Sequence, residues 1–125
     1  MTLIGIGVDI VSINRMRRLL SNHPDKVAAR ILSHTELKIF YNYNDIRRLY
    51  FLSKRFACKE AIVKALGTGI GRPYGFADIE ILNDDLGKPY VMFLKSQLSL
   101  KKNYRFNISI SDERDYAIAF VIVSI

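Results

Sequence analysis

The feature that most constrains the fold is a long helical pattern in the middle of the chain. The pattern predicts a helix from about Ile46 to Leu66. Asn44 or Asp45 is expected to cap its first turn, and Gly67 to end it. A glycine-rich segment of permissive backbone then continues to Gly71. We expect the rest of the chain to be arranged around this helix.

One acidic residue, Glu60, lies in the second half of the predicted helix. At about 100° per residue it falls inside an arc of apolar side chains, namely Leu49, Leu52, Phe56 and Val63. A carboxylate in a core-facing arc is costly unless it is paired or bound to a cation. We therefore expect this helix to carry chemistry as well as packing. Its basic flank comprises Arg48, Arg55 and Lys59, whereas Lys54 and Cys58 project away from the arc.

The first strand is predicted at Leu3 to Val11, where residue character alternates. Its apolar start has no basic leader and contains Asp9, so we expect a buried strand rather than a signal peptide. One face carries Ile4, Ile6, Val8 and Ile10. The opposite face carries Gly5, Gly7 and Asp9. The two glycines favour close approach by a ligand or by another backbone, although a bulge or a tight helix crossing would also need them.

Shorter elements flank the long helix on both sides. Three short helices are expected before it: Ile13–Leu20 capped by Ser12, Lys26–Leu32, and a third that starts at the Ser33–Glu36 capping box and reaches about Tyr43. Alternation later in the chain predicts strands at Asp78–Leu82, Pro89–Leu94, Arg105–Ser111 and Tyr116–Val123, with a basic connector at Ser96–Lys102. The last strand is apolar on both faces, which is typical of a central strand.

These elements predict an α+β fold in a single domain over residues 1–125. A mostly antiparallel sheet is expected to pack against one long and several short helices. A chain of 125 residues is large enough to bury a core without disulfides or structural metal ions.

The net charge of +7 favours an anionic partner, such as nucleic acid, a membrane surface, an acidic protein or a phosphate-bearing small molecule. No apolar run approaches the roughly 20 residues that span a bilayer. Cys58 is the only cysteine, which excludes an intrachain disulfide and favours a cytoplasmic location. His23 and His34 have no second ligand at metal-binding spacing, so we assign them no metal role.

Two segments together carry a resemblance to a known family. GIGVDIVSINRM near the start and FLSKRFACKEAIVKALGTGIG in the middle resemble the paired signatures of the phosphopantetheinyl transferases. The small bacterial type, the holo-acyl-carrier-protein synthases, is the most similar in length and in the position of the first motif. The resemblance covers nearly the whole chain, and its central motif, R-F-A-x-K-E-A-x-x-K-A-x-G, is long and specific.

The resemblance implies transfer of the 4′-phosphopantetheine arm of coenzyme A to a serine of apo acyl carrier protein, in support of fatty acid biosynthesis. Adenosine 3′,5′-bisphosphate would be released. It also implies the phosphopantetheinyl transferase fold and a homotrimer with active sites at the subunit interfaces. Neither a nucleic acid nor a membrane is expected as a partner.

The resemblance further assigns roles to individual residues. Asp9 and Glu60 would bind Mg²⁺, and Glu60 and Lys64 would be catalytic. Coenzyme A would be bound by Arg55, Lys59, Lys64, Gly69, Gly71 and Asn107, and the acidic helix of the carrier protein by Arg15, extended by Arg17 and Arg18. Magnesium chemistry agrees with this set, because Mg²⁺ typically takes one or two protein carboxylates and completes its octahedron with phosphate oxygens and waters.

The chain departs from the family pattern near its C-terminus. Many relatives have H-x-S-x-S-H where this chain has Asn107 at the first histidine position and Asp112 at the second. Asn107 supplies neither charge nor base, and Asp112 would repel phosphate unless it faces elsewhere. We therefore hypothesise that Glu60, or a metal-bound water beside it, deprotonates the attacking serine. Cys58, where alanine is common, is expected to take no catalytic part.

Two other classes of function compete with this interpretation. A basic nucleic-acid-binding module would explain the charge, but the seven tyrosines are scattered and no strand shows the aromatic pairs of an RNA-recognition motif. An inactive protein that binds carrier proteins without transfer would explain the missing histidines. Retention of Asp9, Glu60 and Lys64 favours the enzyme.

Overall fold

The computed structural model describes residues 1–71, 74–95 and 103–125. Their elements are β1 (Leu3–Ser12), α1 (Ile13–Asn22), α2 (Pro24–Ile31), α3 (His34–Tyr41), α4 (Asp45–Leu66), a 3₁₀ turn (Phe76–Asp78), β2 (Ile79–Asn83), β3 (Pro89–Phe93), β4 (Arg105–Asp112) and β5 (Tyr116–Ser124). The expected α+β class is confirmed. The basic connector predicted at Ser96–Lys102 lies outside the described residues.

The strands form two antiparallel sheets in the part of the chain that the structure describes. One has the order β1-β5-β4, and the other is the β2–β3 hairpin. The single sheet expected from the sequence is thus divided in two. The prediction of a central last strand is confirmed, because β5 pairs on both sides and buries Ala117, Ala119, Val121 and Val123.

The long helix α4 lies at the centre of the molecule. The side chain of Asn44 accepts a hydrogen bond from the Arg47 amide at 3.0 Å and caps its first turn. Gly67 ends it in the left-handed conformation, with φ of 76°. Between these caps the helix is buried on most of its surface, because it contacts β1, β2, β4, β5 and the three short helices.

The expectation that Glu60 sits in a core-facing arc is only partly confirmed, because Leu49, Leu52 and Val63 of that arc are buried whereas Glu60 is partly open. In the second half of α4 the partly open positions Phe56 and Glu60 and the exposed Lys64 follow one another at intervals of four residues. They form one open stripe on this half of the helix, where the residues between them are buried. Cys58, expected on the side away from the core, is fully buried, and burial raises the pKa of its thiol to about 12.

Two glycines bring β1 against the backbone of α4. A Cβ placed on Gly5 would lie 1.9 Å from the Ala65 carbonyl oxygen, and one on Gly7 would lie 1.9 Å from that of Ala61. Of the alternatives left open by the sequence, the tight helix crossing is observed at both glycines, and the β1–β5 register also shifts between Leu3 and Gly5. The backbone of α4 occupies the space beside both glycines, so no ligand fits there.

The expectation of a buried first strand is only partly confirmed. Among the described residues β1 pairs with β5 alone and so lies at an edge of its sheet. Its glycine face packs on α4, whereas Ile6, Val8 and Ile10 on the other face are 54%, 49% and 61% exposed. The apolar alternation identified the strand correctly, but its apolar face points away from the core.

We predict that Gly7→Ala destabilises the protein strongly. The new Cβ would collide with the backbone of Ala61, which cannot yield without moving α4, so we expect a loss of at least about 3 kcal/mol in the free energy of unfolding. Chemical denaturation measures it. Gly75→Ala is the control, because a Cβ there meets only the Asp78 side chain, at 3.3 Å. An equal and small effect of both changes would contradict the close crossing.

Candidate functional site

Asp9, Glu60 and Lys64 are brought together where β1 crosses α4. Gly7 packs at the level of Ala61, and two strand residues advance about 6.8 Å while one helical turn advances about 5.4 Å. Asp9 follows Gly7 by two residues on the same face of β1. It therefore lies roughly one turn further toward the N-terminal end of α4, just past the level of Glu60. The Lys64 ammonium donates to Asp9 Oδ1 and to the Val8 carbonyl oxygen, both at 3.0 Å.

The environment of Glu60 disfavours its negative charge. Partial burial raises the pKa of Glu60, the nearby Asp9 carboxylate raises it further, and Lys64 opposes both. A carboxylate whose charge raises the pKa of Glu60 must lie close to it, so the two acidic side chains share one site. A bound cation would relieve their repulsion, and a carboxyl with a raised pKa is a stronger base than an ordinary glutamate.

The two carboxylates fit a magnesium ion that is shared with a phosphate ligand. No group of three or more metal-ligating His, Cys, Asp or Glu side chains occurs within residues 1–71, 74–95 and 103–125, so these residues show no all-protein metal cage. Mg²⁺ usually takes only one or two carboxylates and leaves its other positions to phosphate oxygens and water. Asp9 and Glu60 could supply these carboxylates, and the Lys64 ammonium group lies beside them.

A large cavity opens on another side of α4. It has a volume of about 880 Å³, and its cationic side chains are Arg47, Lys54 and Arg55. Lys54 lies about 120° around the helix from Glu60 and about 9 Å along its axis. Aromatic and hairpin residues complete the lining, among them Tyr43, Tyr50, Phe51, Asn83, Gly87 and Tyr90. Only Arg55 among these is a ligand contact predicted from the sequence. Arg47 and Lys54 precede the R-F-A-x-K-E-A motif on α4, and Asn83, Gly87 and Tyr90 lie on the β2–β3 hairpin, far from α4 in the chain.

Arg55 is held at the cavity with part of its donor capacity unused. Its side chain is 6% exposed, stacks over Phe51 at 4.5 Å, and donates from Nη2 to Asn83 Oδ1 at 2.9 Å. Its Nε is buried without a hydrogen-bond partner and lies 3.7 Å from Glu36 Oε2. Burial lowers the pKa of Arg55, and Glu36 opposes that shift. The positive charge of Arg55 at the cavity wall favours an anion in the cavity.

The structure does not support the expectation that Lys59 contacts coenzyme A. Its side chain is fully buried and donates to Glu36 Oε1 at 2.5 Å, to the Ile31 carbonyl at 2.7 Å and to the Phe76 carbonyl at 3.0 Å. An ammonium group has three hydrogens to donate, and all three are used. Lys59 is therefore a core residue that joins α4 to α2, α3 and the 3₁₀ turn.

The two residues that replace the family histidines point to opposite faces of the β1–β5–β4 sheet. Asn107 is exposed on the face away from α4, where it pairs with Ile122. Within one chain it is thus separated from Asp9, which faces α4. Asp112 lies at the other end of β4, lines the cavity, and pairs with Lys54 at 3.5 Å.

The remaining candidate residues are spread over the surface. Arg15 and Arg17 are exposed but lie about 160° apart around α1, with Arg18 between them, so the three arginines do not form one compact patch. The Arg17 guanidinium donates to Asn14. Gly69 and Gly71 are in the exposed loop after α4 at φ of 73° and 126°, values that favour glycine irrespective of ligand contact.

The chain resembles known proteins over almost its whole length. The family model for the 4′-phosphopantetheinyl transferase superfamily matches residues 5–121. A holo-[acyl-carrier-protein] synthase of a Geobacillus species is 47% identical over 121 residues, which is 97% of this chain and 96% of the relative. No helix in the described part of the chain is long and apolar enough to cross a membrane.

Solved structures agree with the sequence relatives. The holo-[acyl-carrier-protein] synthase of Neisseria meningitidis superposes with a TM-score of 0.87 at 39% identity, covering 98% of both chains. The corresponding protein of Bacillus anthracis, solved in complex with CoA (3′,5′-ADP), has a TM-score of 0.85 at 36% identity, covering 98% of this chain and 97% of the other.

We predict that Asp9→Asn lowers the pKa of Glu60. The substitution removes a negative charge that raises this pKa and frees the Lys64 ammonium that opposes it, so both effects favour the ionised carboxylate. Carbon-detected NMR titration of the Glu60 side chain in metal-free protein measures the shift. Asp85→Asn, an exposed change in the β2–β3 turn, is the control. An unchanged Glu60 pKa in Asp9→Asn would show that the two carboxylates do not share a site.

Proposed function

The chain belongs to the 4′-phosphopantetheinyl transferase superfamily, and we propose that it is a magnesium-dependent transferase that moves the phosphopantetheine arm of coenzyme A to a serine of apo acyl carrier protein. The released product is adenosine 3′,5′-bisphosphate. We place this reaction in the cytoplasm, as a step that supports fatty acid biosynthesis. The observation that carries the proposal is the convergence of Asp9, Glu60 and Lys64 where β1 crosses α4.

Asp9 and Glu60 are the residues that would hold the magnesium ion. When bound, Mg²⁺ neutralises charge on the pyrophosphate of coenzyme A and on the leaving phosphate. Lys64 adds a positive charge from the protein itself, because its half-exposed ammonium group lies 3.0 Å from Asp9 Oδ1. Lys64 thus contacts the Asp9 carboxylate from α4 and orients that carboxylate toward the open stripe.

Glu60 is the proposed general base. The serine oxygen forms a bond to the phosphorus that carries the pantetheine arm, and the bond from that phosphorus to the oxygen of the nucleotide phosphate breaks. The serine proton passes to the Glu60 carboxylate, which lies on the open stripe of α4 beside Asp9. Asn107, exposed on the other face of the sheet, is not positioned within one chain to replace it.

The cavity on α4 is the proposed site of the adenosine bisphosphate end of coenzyme A. Its volume of about 880 Å³ is within the range of about 300–1,000 Å³ typical of small-molecule sites. Its three cations offer partners for phosphate, and its tyrosines offer surfaces for a base. We carry Arg55, Lys64, Gly69, Gly71 and Asn107 forward as coenzyme A contacts, and Lys59 is removed from that set.

A complete active site is proposed to form between copies of the chain. The carboxylates and the cavity open on different sides of α4, and Asn107 lies on the outer sheet face, the side of the β1–β5–β4 sheet away from α4. This face is apolar over β1 and β5: Val8 pairs with Phe120 and Ile10 with Ile118, and all four are at least 40% exposed. Such a contiguous apolar surface marks an interaction site, and a homotrimer would cover it.

The proposed docking site for the carrier protein lies on α1. Arg15 and Arg18 project from its exposed side, and exposed arginines favour the acidic helix of a carrier protein. Arg17 projects from the opposite flank and is assigned a smaller share of the contact.

We predict that Glu60→Gln reduces transfer about a hundredfold or more, because the amide cannot accept the serine proton and binds metal more weakly. The assay combines the protein with Mg²⁺, coenzyme A and apo acyl carrier protein and follows the mass of the carrier. Glu113→Gln, an exposed change outside the site, is the control and should retain full activity.

The same assay separates the competing functions. A phosphopantetheine mass gain with the unmodified chain supports the transferase. A stable complex without mass gain would support an inactive carrier-binding protein. Full turnover by Glu60→Gln with Mg²⁺ binding intact would eliminate Glu60 as the base while leaving the transferase in place.

We predict that Phe120→Glu separates the subunits. A charge at the centre of the apolar face opposes its burial, so sedimentation should show a monomer where the unmodified chain shows a trimer. Transfer should be lost as well, although the fold is kept. Leu86→Glu, at a 94% exposed turn position off this face, is the control. An unchanged assembly in Phe120→Glu would contradict the proposed interface.

A further inference from the structure

One carboxylate stands among the cations of the cavity. Asp112 is the acidic side chain among the described lining residues, which also include Arg47, Lys54 and Arg55. Its Oδ1 lies 3.5 Å from the Lys54 ammonium nitrogen, and both side chains are 33% exposed. It comes from the end of β4, whereas all three cations come from α4. The formal charge of the lining is therefore +2 with Asp112 ionised and would be +3 without it.

Fold stability does not account for this pair. Ion pairs between partly exposed side chains contribute about 0–1 kcal/mol. Asp112 lies at the terminal register position of the β4–β5 ladder, opposite Ala117, so its side chain is not needed to hold the strands together. Its effect is on the charge that an incoming ligand meets.

We propose that Asp112 sets the anion affinity of the cavity by competing with the ligand's phosphate groups for Lys54. In the free chain the carboxylate pairs with the ammonium group and neutralises it. A phosphate that enters must displace the carboxylate and tolerate its charge, so Asp112 weakens binding in proportion to the negative charge of the ligand. The inference rests on the proposed function, because it takes the cavity as the nucleotide site.

A series of three ligands isolates this charge effect from packing. Adenosine carries no phosphate, adenosine 5′-monophosphate carries one, and adenosine 3′,5′-bisphosphate carries two. Calorimetric titration compares the unmodified protein with Asp112→Asn. For Asp112→Asn we expect the bisphosphate to bind about three- to tenfold more tightly, the monophosphate to gain less, and adenosine to be unchanged. The gain should shrink as salt is added, because exposed charges are screened.

Two further variants test the mechanism. Glu113→Gln removes the same charge from the next residue, outside the cavity lining, and should leave all three affinities nearly unchanged. Lys54→Met should weaken the bisphosphate more than adenosine. Thermal melting confirms that each variant is folded before titration.

Two outcomes would overturn the inference while leaving the transferase intact. One is an equal change for all three ligands in Asp112→Asn, which would indicate an effect on shape. The other is no change in any of them while the carrier still gains mass in the transfer assay, which would place the nucleotide elsewhere. Loss of both ligand binding and transfer in the unmodified protein would instead refute the proposed function, and the inference with it.

Discussion

The close contact between β1 and α4 is the constraint on which the rest of the structure depends. Gly5 and Gly7 let the strand lie directly against the carbonyl oxygens of Ala65 and Ala61, where no side chain fits. Two residues of a strand and one turn of a helix have similar lengths, so the same contact also places Asp9 near Glu60. Packing of the core and geometry of the candidate metal site thus come from one interface, and a change in either glycine disturbs both.

A central helix with many charges needs internal partners for those that are buried. Glu36 supplies them: Oε1 accepts hydrogen bonds from Lys59 and the Ser33 amide, and Oε2 accepts one from the Ile81 amide. A buried charge is tolerated only when such a set is complete. Lys59 is therefore committed to the core, while Lys64, five residues later, has an exposed side chain that pairs with Asp9. Two lysines of one motif have opposite fates because they project about 140° apart around α4, Lys59 into the core and Lys64 onto the open stripe.

The chemical groups of one chain do not make a single enclosed site. The carboxylates of Asp9 and Glu60 lie on the open stripe of α4, the cationic cavity opens on another side of the same helix, and the outer sheet face is apolar and exposed. Each feature is explained if copies of the chain associate through that face and share substrates between them. The positive net charge then serves two anionic substrates at separate places.

Local and periodic features of the sequence determined much of this architecture by themselves. The Ser33 capping box, the end of α4 at Gly67 and the central position of β5 follow from residue type and spacing, and the pairing of the two motifs identified the family. Only the tertiary structure decided which surfaces are covered. Alternation in β1 defines two faces but not which one meets the core, and helical spacing around Glu60 cannot show that the surrounding turns are buried on nearly every side. The partners of Lys59 and Lys54, Glu36 and Asp112, lie 23 and 58 residues away along the chain, so their roles depend on contacts that folding alone creates.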